Sequence, residues 1–440
     1  MTQQLVEQLL PSKLPVSGVI ITKTGHDDGS LSTSGIVVYE ASHPVPCEAG
    51  VAATQQLVQH AQEHTDSDTC VFVLLTGGGS SLLVAPAPGL NLSDLQATSS
   101  LLLGCGADIA ELNCVRRSLS AVKGGRLRAY LRPAARVATL ALSDVVGDDL
   151  ATIASGPTVA PTSTAADAIA VLQKYSLMDS VAPAVLAALS TDVGAAAAAA
   201  ADGSALAAQN KEHETAHFSA HVIGSNASAL AAAAAAAQAA GFTPHVLSSA
   251  LEGEAAQVAR DLVSVATAMT HPQQAAAGSD LRTVVDSALG RLGGAWASME
   301  DAPPLNTPTA LIFGGETTVQ LSTPDGAPPG MGGRNQELAL AAAVAFAEGP
   351  LAGDKGGGQP RATLLAVGTD GTDGPTDAAG GLVSCCSLSG SDPPLLLADA
   401  QAALLAHSAY NALETAACLL KTGPTGTNVM DVTIVFLLPE

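Results

Sequence analysis

Short apolar runs alternate with stretches of helical periodicity along most of this 440-residue chain, and that alternation constrains the fold more than any other feature. Residues 16–22 and 36–40 read as strands, 48–65 as a helix, 70–75 as a fully buried strand and 137–142 as a further strand. Residues 108–122 place Ile109, Leu112, Val115, Leu119 and Val122 on one helical face, with a capping-box start at Asp108 and Glu111 and a stop at Gly124 and Gly125. Residues 221–223, 226–240 and 244–247 read as a compact βαβ unit whose helix ends at Gly241. The pattern predicts an α/β protein whose larger N-terminal domain has a mainly parallel sheet covered by helices. Residues 309–313, 317–321, 362–367 and 432–438 are short strand candidates broken by glycine-rich turns, which predicts a second, smaller C-terminal α/β domain. The expected divisions are 1–270, a linker or insertion over 271–307 with one short helix, and 308–440. The alanine run 195–201 lies in a polar connector and reads as an expanded loop.

A formal net charge of −22 excludes a broad basic face for nucleic acid. With 47% hydrophobic and 13% charged residues, wholesale disorder is excluded as well. The seven cysteines form no CxxC pair, which points to a reducing compartment rather than a disulfide framework or a zinc site. No apolar run is long and uninterrupted enough to predict a membrane span.

Three N-terminal segments carry chemistry. Thr76-Gly77-Gly78-Gly79-Ser80 follows an apolar run, and such glycines let an anion approach backbone N–H groups; an ordinary tight turn explains the segment equally well. Between Arg116 and Arg136 lie seven of the 18 basic residues and no carboxylate. Arg116, Ser120 and Lys123 have the spacing of one helix side, and in so acidic a chain this segregation suggests a pocket for a small anion at Arg116 and Lys123. Asp144 and Asp148 follow a strand, where a carboxylate can hold Mg²⁺ or simply build a turn. His26 and His43 lie in turns, His213, His217 and His221 read as solvated or structural, and no nucleophile motif accompanies them.

The C-terminal region holds four polar glycine-rich loops: Gly314-Gly315-Glu316, Gly330 to Asn335, Gly368-Thr369-Asp370 to Asp377, and Thr422 to Asn428. Each abuts an apolar element. Helix starts and glycine loops favour phosphate, carboxylates favour a metal, and Arg334 offers a bidentate anion fork. The chemistry together reads as phosphoryl transfer to or from a small anionic substrate.

In this order the loops resemble the glycerate 2-kinase family whose C-terminal domain is called MOFRL. The resemblance runs through residues 77–83, 113–127, 143–158, 251–254, 314–318, 332–340, 368–380 and 423–431. It implies phosphorylation of D-glycerate at its 2-hydroxyl to 2-phosphoglycerate, with ATP and Mg²⁺ or another divalent cation. Arg334 matches the family's active-site arginine. The roles expected from it are anion stabilisation by Arg334, metal binding or hydroxyl activation by Asp370 and Asp373, and metal binding by Asp144 and Asp148. Gly77, Gly78, Gly79, Ser80, Lys123, Glu316, Asn335, Thr369 and Asn428 are the expected cofactor contacts. The family's N-terminal Gly-Lys-Ala segment has no counterpart among these residues, 1–10 resembling the helix that follows it, so its lysine is expected upstream of Met1 and this form is expected to turn over weakly. Ser118 stands where the family usually carries histidine. The alternatives are a hydroxypyruvate reductase, for which no GxGxxG fingerprint is present, and a catalytically inactive family member. The expected partners are glycerate and ATP, with no nucleic acid and no membrane. A homodimer is the assembly to test, and the location is cytoplasmic unless an upstream segment targets an organelle.

Overall fold

The computed structural model describes residues 15–439 apart from 28, 30–34, 161–162, 202–216, 274–279, 294–295, 297, 299–301, 324–325, 357–358 and 390–392. Residues 1–10 and His213 thus lie outside the described residues. The chain divides into two compact units: Met1–Leu142 with Asp148–Ile223, and Ser143–Gly147 with Gly224–Glu440. No described helix is long and apolar enough to cross a membrane.

In the first unit, β1 (Gly18–Lys23) pairs in parallel with β2 (Ile36–Ala41), and α1 (Glu48–His64) follows. Strand β3 (Cys70–Leu75) runs into the short helix α2 (Gly79–Leu82), then α3 (Leu92–Gly104), α4 (Ile109–Ser118) and α5 (Arg128–Leu131). Strand β4 (Arg136–Leu142) pairs in parallel with β3, in a three-stranded sheet of order β3-β4-β5. Helices α6 (Ala165–Lys174) and α7 (Pro183–Ala201) precede β5 (Phe218–Gly224). The fully buried character expected of β3 does not hold: Cys70 is exposed and Phe72 is 41% exposed, both on one face of the strand, which is left partly uncovered.

Asp108 and Glu111 make the expected capping box, yet α4 stops at Ser118 rather than at residue 122. The Ser120 hydroxyl accepts from the backbone N–H groups of Val122 and Lys123, competing with helical bonding, and the chain turns to pair with residues 85–87. Lys123 therefore sits in a turn and does not share a helix face with Arg116. The alanine run 195–201, expected as loop, continues α7, since alanine is the strongest helix former. Leu102, Leu112, Val115, Leu172 and Leu189 join α3, α4, α6 and α7 into one apolar cluster.

The second unit starts with α8 (Asn226–Ala239), followed by β6 (Thr243–Leu251), α9 (Ala255–Thr270), α10 (Asp280–Leu292) and β7 (Thr309–Gly315). Next come α11 (Arg334–Glu348), the hairpin β8 (Lys355–Gly356) and β9 (Gln359–Pro360), β10 (Ala362–Gly368), β11 (Gly380–Ser384), α12 (Leu397–Leu405), α13 (Ala409–Thr415), β12 (Leu419–Leu420) and β13 (Asp431–Leu437). The mixed sheet has the order β12-β11-β10-β13-β7-β6, in which only the β6–β7 pair is parallel. Strand β5 belongs to the first unit's sheet and β6 to this one, so residues 221–247 are not a βαβ unit within one sheet. The pairing of β6 with β7 places β6 in the second compact unit. Residues 317–321, expected as a strand, give only one bridge, Thr318 to Glu254.

Every residue of β7 is buried, and its side chains alternate between two cores. Leu311 and Phe313 join α9 and α11 through Leu262, Leu338 and Phe346, while Ala310 and Ile312 join α8 through Leu230. The strand is thus sandwiched, and the loops at its carboxyl end are held on a rigid base.

Candidate active site

In the second unit the four glycine loops do come together, around the start of α11. Arg334 is the first residue of that helix, after the N-cap Gly333. Its Nε lies 2.5 Å from Asp431 Oδ2 and its Nη2 2.8 Å from Oδ1, a two-point pair, while Nη1 lies 2.9 Å from Glu316 Oε1. The fork expected to face a ligand is thus occupied by Asp431, leaving one N–H on each terminal nitrogen for an incoming anion. Burial opposes the guanidinium charge, but the Asp431 hydrogen bonds and the carboxylates around it hold the group above the usual arginine range.

Asp373 is 2% exposed. Its Oδ1 accepts from the Asn335 N–H at 3.2 Å and from Asn335 Nδ2 at 3.3 Å, and its Oδ2 from the Gln336 N–H at 2.8 Å. Asp373 therefore caps α11, occupying the helix start that sequence pattern alone offers to phosphate. Burial pushes its carboxyl up to about 6 against the pull of those N–H donors. Gly333 is required here, because a Cβ on it would lie 2.3 Å from Asp373 Cγ.

Thr369 latches two loops: its hydroxyl donates to Met430 O at 2.7 Å and accepts from the Val429 N–H at 2.9 Å. Asn428 Oδ1 accepts from the Met430 N–H at 3.0 Å, and Asp370 Oδ1 from the Thr372 N–H at 3.0 Å. Asn335, Thr369 and Asn428 thus spend these groups on shaping the site. Asp144 lies in the same unit, and burial raises its carboxyl. Burial raises Glu316 too, and the charges of Asp431, Asp144 and Asp370 act on it in the same direction, against Arg334. Among the described residues no three His, Cys, Asp or Glu side chains group to hold a metal. Asp148 belongs to the first unit.

Two partners in this site carried no signal of their own in the sequence. Asp431 opens a strand that is otherwise largely apolar, and that position is the one cue that could have found it. Asn226, 2% exposed, donates from Nδ2 to the Val429 and Asp431 carbonyls, both at 2.9 Å. It fits because Gly314 has no side chain: a Cβ there would lie 1.8 Å from Asn226 Oδ1.

In the first unit, Gly78 is left-handed at φ 82° and turns β3 into α2. The loop packs tightly, a Cβ on Gly79 reaching 2.7 Å from Ala154 Cβ and one on Gly78 reaching 3.0 Å from the His43 ring. Ser80 Oγ lies 2.9 Å from Ser155 Oγ, and Lys123 Nζ donates to the Ser80 carbonyl. Burial, with Arg116 adding to it, pushes Lys123 down to about 7. Arg128, by contrast, stacks on the Phe218 ring at 4.4 Å.

A family model described as "Domain of unknown function (DUF4147)" matches residues 1–190, and the MOFRL family model matches residues 309–431. The D-glycerate 2-kinase of Thermotoga maritima is 37% identical over 422 residues, spanning 95% of this chain and 83% of the relative. The chain belongs to the glycerate 2-kinase family. Within that family, a protein of Agrobacterium vitis described as a putative hydroxypyruvate reductase is 36% identical, over 97% of this chain and 94% of its own length. The crystal structure of glycerate kinase from Thermotoga maritima matches the fold with a TM-score of 0.75 at 34% identity, covering 98% of this chain and 87% of that one. The α/β architecture of this glycerate 2-kinase family member, with parallel pairing in its N-terminal part and a separate mixed sheet at its C-terminal end, agrees with that neighbour.

Proposed function

We propose that the chain transfers a phosphoryl group from ATP to the 2-hydroxyl of D-glycerate, giving 2-phosphoglycerate. The observation that carries this reading is Arg334, fixed by Asp431 and Glu316 at a helix start among four glycine loops, in a chain with kinase-named relatives. Phosphoryl transfer depends on positioning and charge neutralisation, and an arginine with two unspent donors on a rigid mount supplies both. Arg334 stabilises the anion; Asp370, exposed to no capping duty of the Asp373 kind, is the better candidate for orienting the acceptor hydroxyl. Asp373 serves as a positioning group. We assign Gly77, Gly78, Gly79, Ser80 and Lys123 to phosphate contacts, and Asn335, Thr369 and Asn428 to holding the loops that meet the nucleotide.

Mg²⁺ needs only one or two carboxylates beside phosphate oxygens. The carboxylates whose charges reach Glu316 fit that demand, with Asp144 the first choice and Asp370 the second. The cation would supply charge neutralisation at the transferred group. Asp148 stays a separate candidate in the first unit.

A coupled ADP-release assay with D-glycerate tests the reading, with NMR of the product to distinguish the 2- from the 3-phosphate. The Agrobacterium relatives' description supports a second reading, hydroxypyruvate reduction, tested by NADH oxidation in parallel. Activity in neither assay from a folded chain would sink both readings.

A further inference from the structure

Lys123 is 6% exposed, and its ammonium donates to one backbone carbonyl, that of Ser80. A charged ammonium has three donors, and burying it without a counter-ion is costly. Among the described residues no carboxylate pairs with it, and the charge that acts on it is another cation, Arg116. Arg116 is itself half-buried, its Nε bonded to the neutral Ser99 hydroxyl at 3.3 Å, and it too has no carboxylate partner. In the same segment Arg126 pairs with Asp192 at 2.5 Å and Arg128 covers Phe218, while Arg117, also buried, donates to the Ala151 carbonyl and the Ser163 hydroxyl. A buried ammonium beside a half-buried guanidinium, neither paired with a carboxylate among the described residues, is costly to stability and points to an incoming anion.

Beside them stands a built polar wall. Ser155 is fully buried and left-handed at φ 61°, following Ala154 at φ 50°. That turn is pinned from the lysine's own loop, the Gly124 N–H donating to the Ser155 carbonyl and the Gly125 N–H to Gly156. The Ser155 hydroxyl meets that of Ser80, whose carbonyl holds Lys123.

We infer that Lys123 and Arg116, with the Ser80–Ser155 hydroxyl pair, form the receptor for one oxyanion group, and that a proton arrives on Lys123 with the anion. The shared chemistry is a carboxylate or phosphate oxygen set, supplied either by the acid substrate or by the nucleotide. Naming those two sources rests on the kinase reading; the receptor itself does not. Burial and the neighbouring guanidinium leave Lys123 largely neutral above about 7, and an anion repays the charged form. Arg116 is the one titrating neighbour whose charge acts on it.

Isothermal titration of the full chain with D-glycerate, and separately with inorganic phosphate and with ADP, tests this in buffers of different ionisation enthalpy. The expected result is uptake of about 0.9 proton per anion near pH 8 for whichever probe fills the receptor, and about 0.1 near pH 6 for D-glycerate, whose carboxylate does not titrate in that range. K123R should bind that probe with no proton uptake, and R116M should bind it at least about tenfold more weakly and with less uptake. K123M should lose binding about a hundredfold; if it fails to fold, K123R carries the test. Binding without proton uptake near pH 8, uptake retained in K123R, or failure of all three probes to bind the folded chain would each overturn the inference. ADP release absent in a chain that shows proton-linked anion binding would instead remove the kinase reading and leave the receptor standing.

Discussion

Asp431 grips Arg334 through both carboxylate oxygens, at 2.5 and 2.8 Å, across 97 residues of sequence. The pair fixes the guanidinium plane, so the remaining donors point in directions set by the sheet rather than by the side chain's own rotamers. Lysine at 334 keeps the charge and loses the fork. R334K is expected to lower kcat/KM for D-glycerate by about a hundredfold, and D431N by at least about tenfold. The double variant should be little worse than R334K alone, because both changes remove one unit. Independent, multiplying losses in the ADP-release assay would contradict this.

Asp373 predicts a pH signature in stability. Its folded value, about 6, lies above the ordinary 3.8, so the folded state holds the proton more tightly than the unfolded one. The sign follows: the stability contributed by protonated Asp373 is present below about 4 and is lost as pH rises towards 6. D373N does not titrate. Its destabilisation relative to the wild-type chain should be greater near pH 4 than near pH 7.5, by roughly 2–3 kcal/mol. Denaturant unfolding at both pH values measures it, and a constant difference would refute the assignment.

Gly371 and Gly423 separate steric fit from backbone strain. Both are left-handed, at φ 85° and 71°, but a Cβ on Gly371 would stand 2.0 Å from the Gly423 carbonyl oxygen, whereas Gly423 faces open space. G371A should cost about 3 kcal/mol or more, and G423A about 1 kcal/mol. Equal losses of Tm in thermal unfolding would show that the contact between the two loops is not decisive.

Asn226 ties α8 to the turn before β13. Removing its amide leaves two buried carbonyls without their donors, so N226A should destabilise the chain by about 2–3 kcal/mol. Since one of those carbonyls belongs to Asp431, activity should fall further than the folded fraction accounts for. Activity measured well below the unfolding midpoint, where every molecule is folded, distinguishes the two losses.

The fold was legible where local chemistry decides it. Residues 70–75 form β3 to the residue, and the Asp108–Glu111 box starts α4 as its spacing predicts. Gly241 closes α8 in the left-handed conformation. What escaped depended on partners distant in sequence. Ser120 ends α4 early because residues 85–87 offer it a bridge, and β5 and β6 part company because β7, far along the chain, claims β6. The site divides in the same way. Arg334 and its glycine loops were marked by turn-forming composition. Asp431 and Asn226 act on groups 97 and more than 200 residues away, and neither has a local pattern to announce it. Lys123 was singled out for its charge, whereas its burial became visible only in three dimensions.

The burial of α11, whose residues 335–344 are all buried, has a mechanical meaning. The helix is 15 residues long, about 22 Å, with Arg334 at one tip and Phe346, fully buried, near the other. It is a shaft seated in the core and stoppered at its working end by Asp373. Moving Arg334 would require sliding the whole shaft through packed side chains, so the arginine acts as a fixed datum. Any ligand must come to it.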